Sequence, residues 1–292
     1  VEMNKILYLT AFIILSLSSY SQIKTENEQT AEFYIRNVLM GKGVEVGEIT
    51  HVGMIGGLGQ FEAEPSIIGV KSGLVLSTGN VNGIKGPNKS AGFTSKGQRP
   101  KGSQARRILR KGDADLNKVC KKRTKDITVI EFDFVPVQNK LEFNYVFASE
   151  EYPEYAGSQY NDVFAFFLSG PNIDGQINLA VLPDGKTPIT INTVNRKNNK
   201  KYYRCNSGFI KRTSYFLNSV YAEHITNSKK RIHKFNNCLM SQLQFDGLTK
   251  VLKVEYNVIP YQKYHLKIAI GDVSDQAFDS AVFLEAGSFV SV

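Results

Sequence analysis

The stretch that decides the fold is ITVIEFDFVPVQNKLEFNYVFAS, residues 127 to 149. In its first half Ile130, Phe132 and Phe134 alternate with Val129, Glu131 and Asp133; in its second half Leu141, Phe143, Tyr145 and Phe147 alternate with Glu142, Asn144 and Val146. Successive side chains of a strand point to opposite faces, so period two marks strands with one buried face. The pattern recurs at 264 to 270, where Tyr264, Leu266, Ile268 and Ile270 oppose His265, Lys267 and Ala269. Further strands are expected at 44 to 52, 70 to 77, 162 to 168, 177 to 182, 189 to 194, 250 to 258 and 281 to 289. Before them, Asn27 or Thr30 can cap a short helix through Phe33, Ile35, Val38 and Leu39 that stops at Gly41. Helical runs do not alternate with the strands, which excludes a doubly wound parallel sheet. The expected fold is all-β: a jelly-roll-like antiparallel β-sandwich with one short N-terminal helix and long basic loop insertions.

Composition agrees. The chain has 292 residues, 42% apolar, with 18 Phe and 14 Tyr, enough to fill a β-rich core without disulfide support. At 22% charged it is not a disordered chain. Four His and three Cys are too few and too scattered for the usual zinc motifs.

Met3 and Lys5 precede an apolar run from Ile6 to Leu17 that gives way to Ser18, Ser19, Tyr20 and Ser21. This is a signal-peptide pattern, expected over residues 1 to 21, with residues 22 to 292 as one mature domain. No second segment approaches the eighteen or so apolar residues of a spanning helix, so a secreted or cell-surface location is expected. In that oxidising setting Cys120, Cys205 and Cys238 allow one bridge; Cys205 with Cys238 is one reading, three free thiols another.

Charge is unevenly spread. Residues 96 to 125 carry 12 Lys or Arg against Asp113 and Asp115, and residues 195 to 234 carry 11 against Glu223 alone. Both stretches read as basic loops on an acidic body, and suggest a polyanionic partner. RKNNKKYYR, 196 to 204, interleaves Tyr202 and Tyr203 with cations as a stacking surface would. Nothing resembles a helix-turn-helix, an RNA-recognition strand or a zinc finger, so nucleic acid is not the expected partner.

The densest chemistry is FASEEYPEYAGSQYNDVFAFFLSG, residues 147 to 170, followed later by GDVSDQAFDS, residues 271 to 280. Carboxylates crowded into one loop repel one another, and a hard cation offsets that repulsion. If the flanking strands are neighbours, Glu150, Glu151, Asn161, Asp162, Asp272, Asp275 and Asp279 form an oxygen ligand set for Ca²⁺. The spacing is not an EF-hand loop, and the alternative is carboxylates that organise turns. Paired carboxylates also suggest a glycoside hydrolase. Adjacent Glu150 and Glu151 would face opposite ways on a strand, a poor geometry for that chemistry.

These residues carry a resemblance. VLMGKGVEVGEI, GVKSGLVLSTGNVNGIKGPN, VIEFDFVP, YVFASEEYPEYAGSQYNDVFAFFLSGPNI, TPITINTVN, LQFDGLTKVLKVEYNVIP and YHLKIAIGDVSDQAFDSAVFLEAGSF, in this order, resemble the choice-of-anchor L domain. The resemblance runs from about residue 34 to 289, and its most specific part is Tyr145 to Gly170. It implies an exported bacterial surface module, many of whose kin come from the Bacteroidota, adhesive or ligand-binding, with no catalytic residues to carry over. The ligand it implies is a glycan or another extracellular surface group.

Overall fold

The computed structural model describes residues 23–88, 92–95, 100, 109, 111–206, 243–274 and 276–292. The expected signal peptide, Cys238, Asp275, part of the first basic stretch and most of the second lie outside the described residues.

The chain runs through β1 (Lys24–Glu26), β2 (Val44–Gly53), β3 (Leu58–Glu62), β4 (Ser72–Ser77), β5 (Thr124–Pro136), β6 (Lys140–Ser149) and β7 (Val163–Ser169). It continues through β8 (Ile177–Asn178), β9 (Tyr203–Cys205), β10 (Gly247–Thr249), β11 (Leu252–Asn257), β12 (Tyr264–Val273), β13 (Ser280–Glu285) and β14 (Val290–Ser291). Two antiparallel sheets result. One is ordered β1-β3-β4-β13-β6-β10-β9, with β11 and β14 also paired to β6; the other is ordered β2-β5-β12-β7-β8. The chain changes sheet between β1 and β2, β2 and β3, β4 and β5, β5 and β6, β6 and β7, β8 and β9, β11 and β12, and β12 and β13, as an all-β sandwich requires.

The alternating residues of the sequence build the space between the sheets. Ile130, Phe132 and Phe134 of β5, Phe164 and Phe166 of β7, and Leu266, Ile268 and Ile270 of β12 meet Phe143, Tyr145 and Phe147 of β6, all sealed from solvent. Rings interlock across the gap: Phe143 to Phe166 at 5.0 Å, Tyr145 to Phe166 at 4.9 Å and Phe147 to Phe164 at 4.9 Å. Alternation fails where a sheet is covered on its outer face as well. Val75, Val146, Ala148 and Phe283 of the larger sheet lie beneath Ile23, Ile67 and Ile68. Val129, Ala165, Phe167 and Ala269 of the smaller sheet lie beneath Leu116.

Helices supply part of that cover. The expected N-terminal helix starts at Thr30, whose hydroxyl accepts from the Phe33 N–H, runs as α1 (Ala31–Phe33) and widens into a π-helical segment, Tyr34–Leu39. Two further helices were not expected, α2 (Pro65–Ile68) and α3 (Ala114–Cys120). α3 corrects the reading of 96 to 125 as loop throughout. Asp113 caps it by accepting from the Asp115 and Leu116 N–H groups, Leu116 anchors it, and Lys267 of β12 pairs with Asp113 at 2.6 Å and Asp115 at 2.9 Å. β5 then begins at Thr124, inside the same basic stretch.

Other expectations shift. The strand expected at 177 to 182 shrinks to the two residues of β8, and 189 to 194 forms turns. There the hydroxyls compete with the ladder: Thr193 Oγ1 donates to Pro188 O at 2.7 Å and accepts from the Thr190 N–H at 2.9 Å. His265 does lie on an outer face, between Asp133 at 2.8 Å and Glu131 at 3.1 Å. Cys205 is bonded in a disulfide, and Cys120 keeps a free thiol.

Candidate functional site: a buried acidic end

Sheet register gathers the carboxylates. Ser149, the last residue of β6, pairs with Gly247 of β10 on one side and Ser280 of β13 on the other. The residues one step beyond are Asp246, Glu150 and Asp279, and the Glu150 N–H still donates to Asp279 O at 3.1 Å. Three acids therefore stand in a row across three adjacent strands. They continue the face of Ala148, Leu248 and Ala281, which is the outer face of the larger sheet. In the smaller sheet Gly271 pairs with Val163, so Asp272 follows opposite Asp162, on the face turned toward the other sheet. Ser280 Oγ donates to Asp162 Oδ2 at 2.7 Å and joins the two groups across the sandwich end.

Exposure is low throughout: Glu150 1%, Glu151 0%, Asp162 0%, Asp246 0%, Asp272 2% and Asp279 6%. Some of this charge is met by donors. Asp162 Oδ1 accepts from the Val273 N–H at 3.0 Å; Asp279 Oδ2 accepts from the Ser95 N–H at 2.7 Å and from its hydroxyl; Asp246 Oδ1 accepts from the Asn88 amide. The rest is met by fewer donors: the Gln244 side chain and the Phe93 backbone hydrogen-bond Glu150, and Thr78 hydrogen-bonds Asp272, while Asp246 Oδ2 is sealed from solvent.

Electrostatics follow from that burial. Removal from water pushes the Glu150 carboxyl well above its usual range, and the nearby Asp246 and Asp279 charges push the same way. Burial likewise raises Glu154 to about 9, Asp246 to about 8 and Asp279 to about 6. Asp272 is raised by burial and by Asp162. One cation opposes them: Arg196 lies near enough to Asp246 and Glu154 to draw both down partway.

The expected ligand set is thus divided. Glu150 and Asp279 share one row, Asp162 and Asp272 form a second group, and Glu151 is buried beside the first. Asn161 turns away, its Oδ1 accepting from the Asn192 N–H at 2.9 Å. Sequence reasoning missed Asp246, because Asp-Gly in QFDGL reads as a turn, and only register places it beside Glu150. Among the described residues no three His, Cys, Asp or Glu side chains already converge in a geometry that holds a metal ion.

Position bears on two further readings. Tyr203 of RKNNKKYYR is buried against Tyr152 at 5.0 Å, so of the two tyrosines read as a stacking surface only Tyr202 reaches solvent, with Lys201 Nζ 4.8 Å from its ring centre. Glu150 and Glu151, the pair read as carboxylates of a glycoside hydrolase, are 1% and 0% exposed. Two surface concavities, of about 350 and 500 Å³, are lined by residues of the β1 and β3 edge such as Lys24, Gln60 and Glu62, and by none of these acids.

Among the described residues no helix is long and apolar enough to cross a membrane. No curated protein and no solved structure matches the chain. The choice-of-anchor L domain model matches residues 22–290, nearly the full length, and the chain belongs to that family.

Proposed function

We propose that this chain is an exported binding module, without catalytic activity, that meets a glycan or similar extracellular ligand through the loops at its acidic end. Membership of the choice-of-anchor L family makes it a surface-associated protein. The observation that carries the finer reading is an aromatic cluster on those loops. Tyr155 meets Tyr160 edge-to-face at 5.3 Å and packs at a tilt against Phe278 at 5.4 Å, and all three rings are half-buried. Phe278 sits at φ 66°, a conformation a bulky residue rarely adopts, and so is held in place by its surroundings. Partly exposed rings over a stiff framework suit sugar faces, which stack on aromatic side chains. The acids beneath are positioned to stiffen the loops, and Ca²⁺ is the cofactor this reading includes.

A glycan panel tests it. The mature chain is expected to be retained on a subset of glycans without releasing sugar, and Tyr155→Ala or Tyr160→Ala should weaken retention about tenfold, the loss of one stacking contact. Sugar release that disappears in Glu150→Gln would establish the hydrolase reading instead. Retention on heparin alone, falling steeply with salt, would move the ligand to the basic stretches.

A further inference from the structure

We propose that Lys267 and Asp113 form a covalent modification site, an intramolecular amide between Lys267 Nζ and Asp113 Cγ made by loss of one water, with Asp115 carrying the proton. The three side chains come from distant parts of the chain, Lys267 from the first half of β12 and the two acids from the start of α3. Lys267 Nζ lies 2.6 Å from Asp113 Oδ2 and 2.9 Å from Asp115 Oδ2, and the three side chains are 12%, 10% and 21% exposed. Apolar groups cover them. Phe167, the register partner of Lys267 on β7, has its ring centre 5.8 Å from Nζ, and Leu116 is sealed from solvent beside the acids. A surface ion pair keeps swapping its partners for water. Here strand and helix hold amine and acid together for the life of the folded chain, so even a slow condensation has time to finish.

The hydrogen bonds assign each atom a part. Asp113 Oδ1 accepts from the Asp115 and Leu116 N–H groups at 3.0 and 2.9 Å, two donors on the oxygen that gains charge when a nitrogen adds to Cγ. Asp113 Oδ2, which faces Nζ, is the oxygen that leaves. Asp115 Oδ1 is held by Lys118 Nζ at 3.0 Å, which turns Oδ2 to the amine. Burial pushes the Asp115 carboxyl up, but the hydrogen bonds from Lys267 and Lys118 outweigh it and hold the group below its usual range, ionised and able to accept a proton. The reaction starts from the ion pair. The Lys267 ammonium passes a proton to Asp113 Oδ2, leaving a neutral amine beside a neutral acid, a form that burial favours. The nitrogen lone pair adds to Cγ, the carbonyl electrons move onto Oδ1, and Asp115 takes a second proton from the nitrogen. The Cγ–Oδ1 double bond then re-forms, the Cγ–Oδ2 bond breaks, and Oδ2 leaves as water with the proton returned by Asp115. One ammonium and one carboxylate become one amide and one water, Asp115 is regenerated, and no co-reactant is needed. The Asp113 carbonyl still caps α3 afterwards. The bond would staple α3, and with it the connection between β4 and β5, to the smaller sheet, and would restrict the unfolded chain as a disulfide does.

Intact-mass spectrometry of the mature chain, with disulfides reduced, tests it. The expected mass is lighter than the sequence by one water. Trypsin should then release a branched peptide joining residues 112–118 to 264–292, because an acylated Lys267 is no longer cleaved. Lys267→Arg keeps the charge and Asp113→Ser keeps a helix cap, yet neither can form the amide, so both should show the full sequence mass. Asp115→Asn should show it as well, with the amine and acid present but uncondensed. A folded wild-type chain at the full sequence mass would overturn the proposal. So would a missing water that persists in Lys267→Arg, since a succinimide at an Asp-Gly step such as Asp246-Gly247 gives the same loss without a branch. Undiminished condensation in Asp115→Asn would overturn the proton-carrying part assigned to Asp115. The wild-type mass decides the main claim even if a variant fails to fold.

Discussion

Glu150 is a carboxylate that the fold takes out of water, met among the described residues only by hydrogen bonds from the Gln244 side chain and the Phe93 backbone. A buried charge of this kind is a liability unless a proton or a cation meets it, so its substitution should change sign with conditions. In chelator at pH 8, Glu150→Gln should melt above wild type by about 1 kcal/mol of stability, because the variant carries no charge to bury. In calcium it should melt below wild type. Thermal melts of both proteins in both buffers check this. Phe166 gives the apolar contrast: it packs against Phe143, Tyr145 and Phe164, and Phe166→Ala should lose about 3–5 kcal/mol in urea unfolding under either condition. The sequence makes the acids visible as residues but hides their partners. Ser95, Asn88 and Arg196 reach the site from segments whose composition reads only as loop, and no local pattern announces that they serve Asp279, Asp246 and Glu154.

At the scale of elements, legibility follows length and one-sided burial. β5, β6 and β12 are long and alternate cleanly, and their expected cores, 128 to 134, 141 to 147 and 264 to 270, sit inside the observed strands. β1, β9 and β10 have three residues each, too few to establish a period. β3 carries a glycine that reads as a turn; Gly59 is there because a Cβ would meet Glu26 O of β1 at 2.3 Å. Gly73 of β4 is tighter, with a Cβ meeting Leu284 O at 1.8 Å. Gly73→Ala should therefore destabilise the fold by about 2–3 kcal/mol, the range of an overpacked core, measured by urea unfolding. The short helix α3 is hidden in sequence because Lys and Arg dominate its surroundings, although Asp113 at its start is an ordinary N-cap.

For the whole molecule, one end of the sandwich gathers a group of buried carboxyls. That end carries folded-state carboxyls raised by burial, Asp279 to about 6, Asp246 to about 8 and Glu154 to about 9. A carboxyl raised on folding binds its proton more tightly in the native state than in the unfolded chain. Its contribution is complete below the unfolded value near 4 and is lost as pH rises through the folded value. In chelator the chain should thus be most stable near pH 5 and lose stability progressively toward pH 9. Calcium, which prefers the ionised carboxylates, should flatten that decline. A set of melts from pH 5 to 9 in each buffer reads both trends.

The central claim, a surface-module sandwich whose acidic end is completed by calcium, is tested most directly by the melting temperature of the mature chain at pH 8 with chelator and with millimolar calcium. An ion that binds only the folded state, present at about a hundred times its dissociation constant, adds about 2.7 kcal/mol. For a domain of this size that is a rise of about 5–10 °C. Superimposable curves would contradict the claim and leave the buried carboxyls as protonated groups that shape the loops.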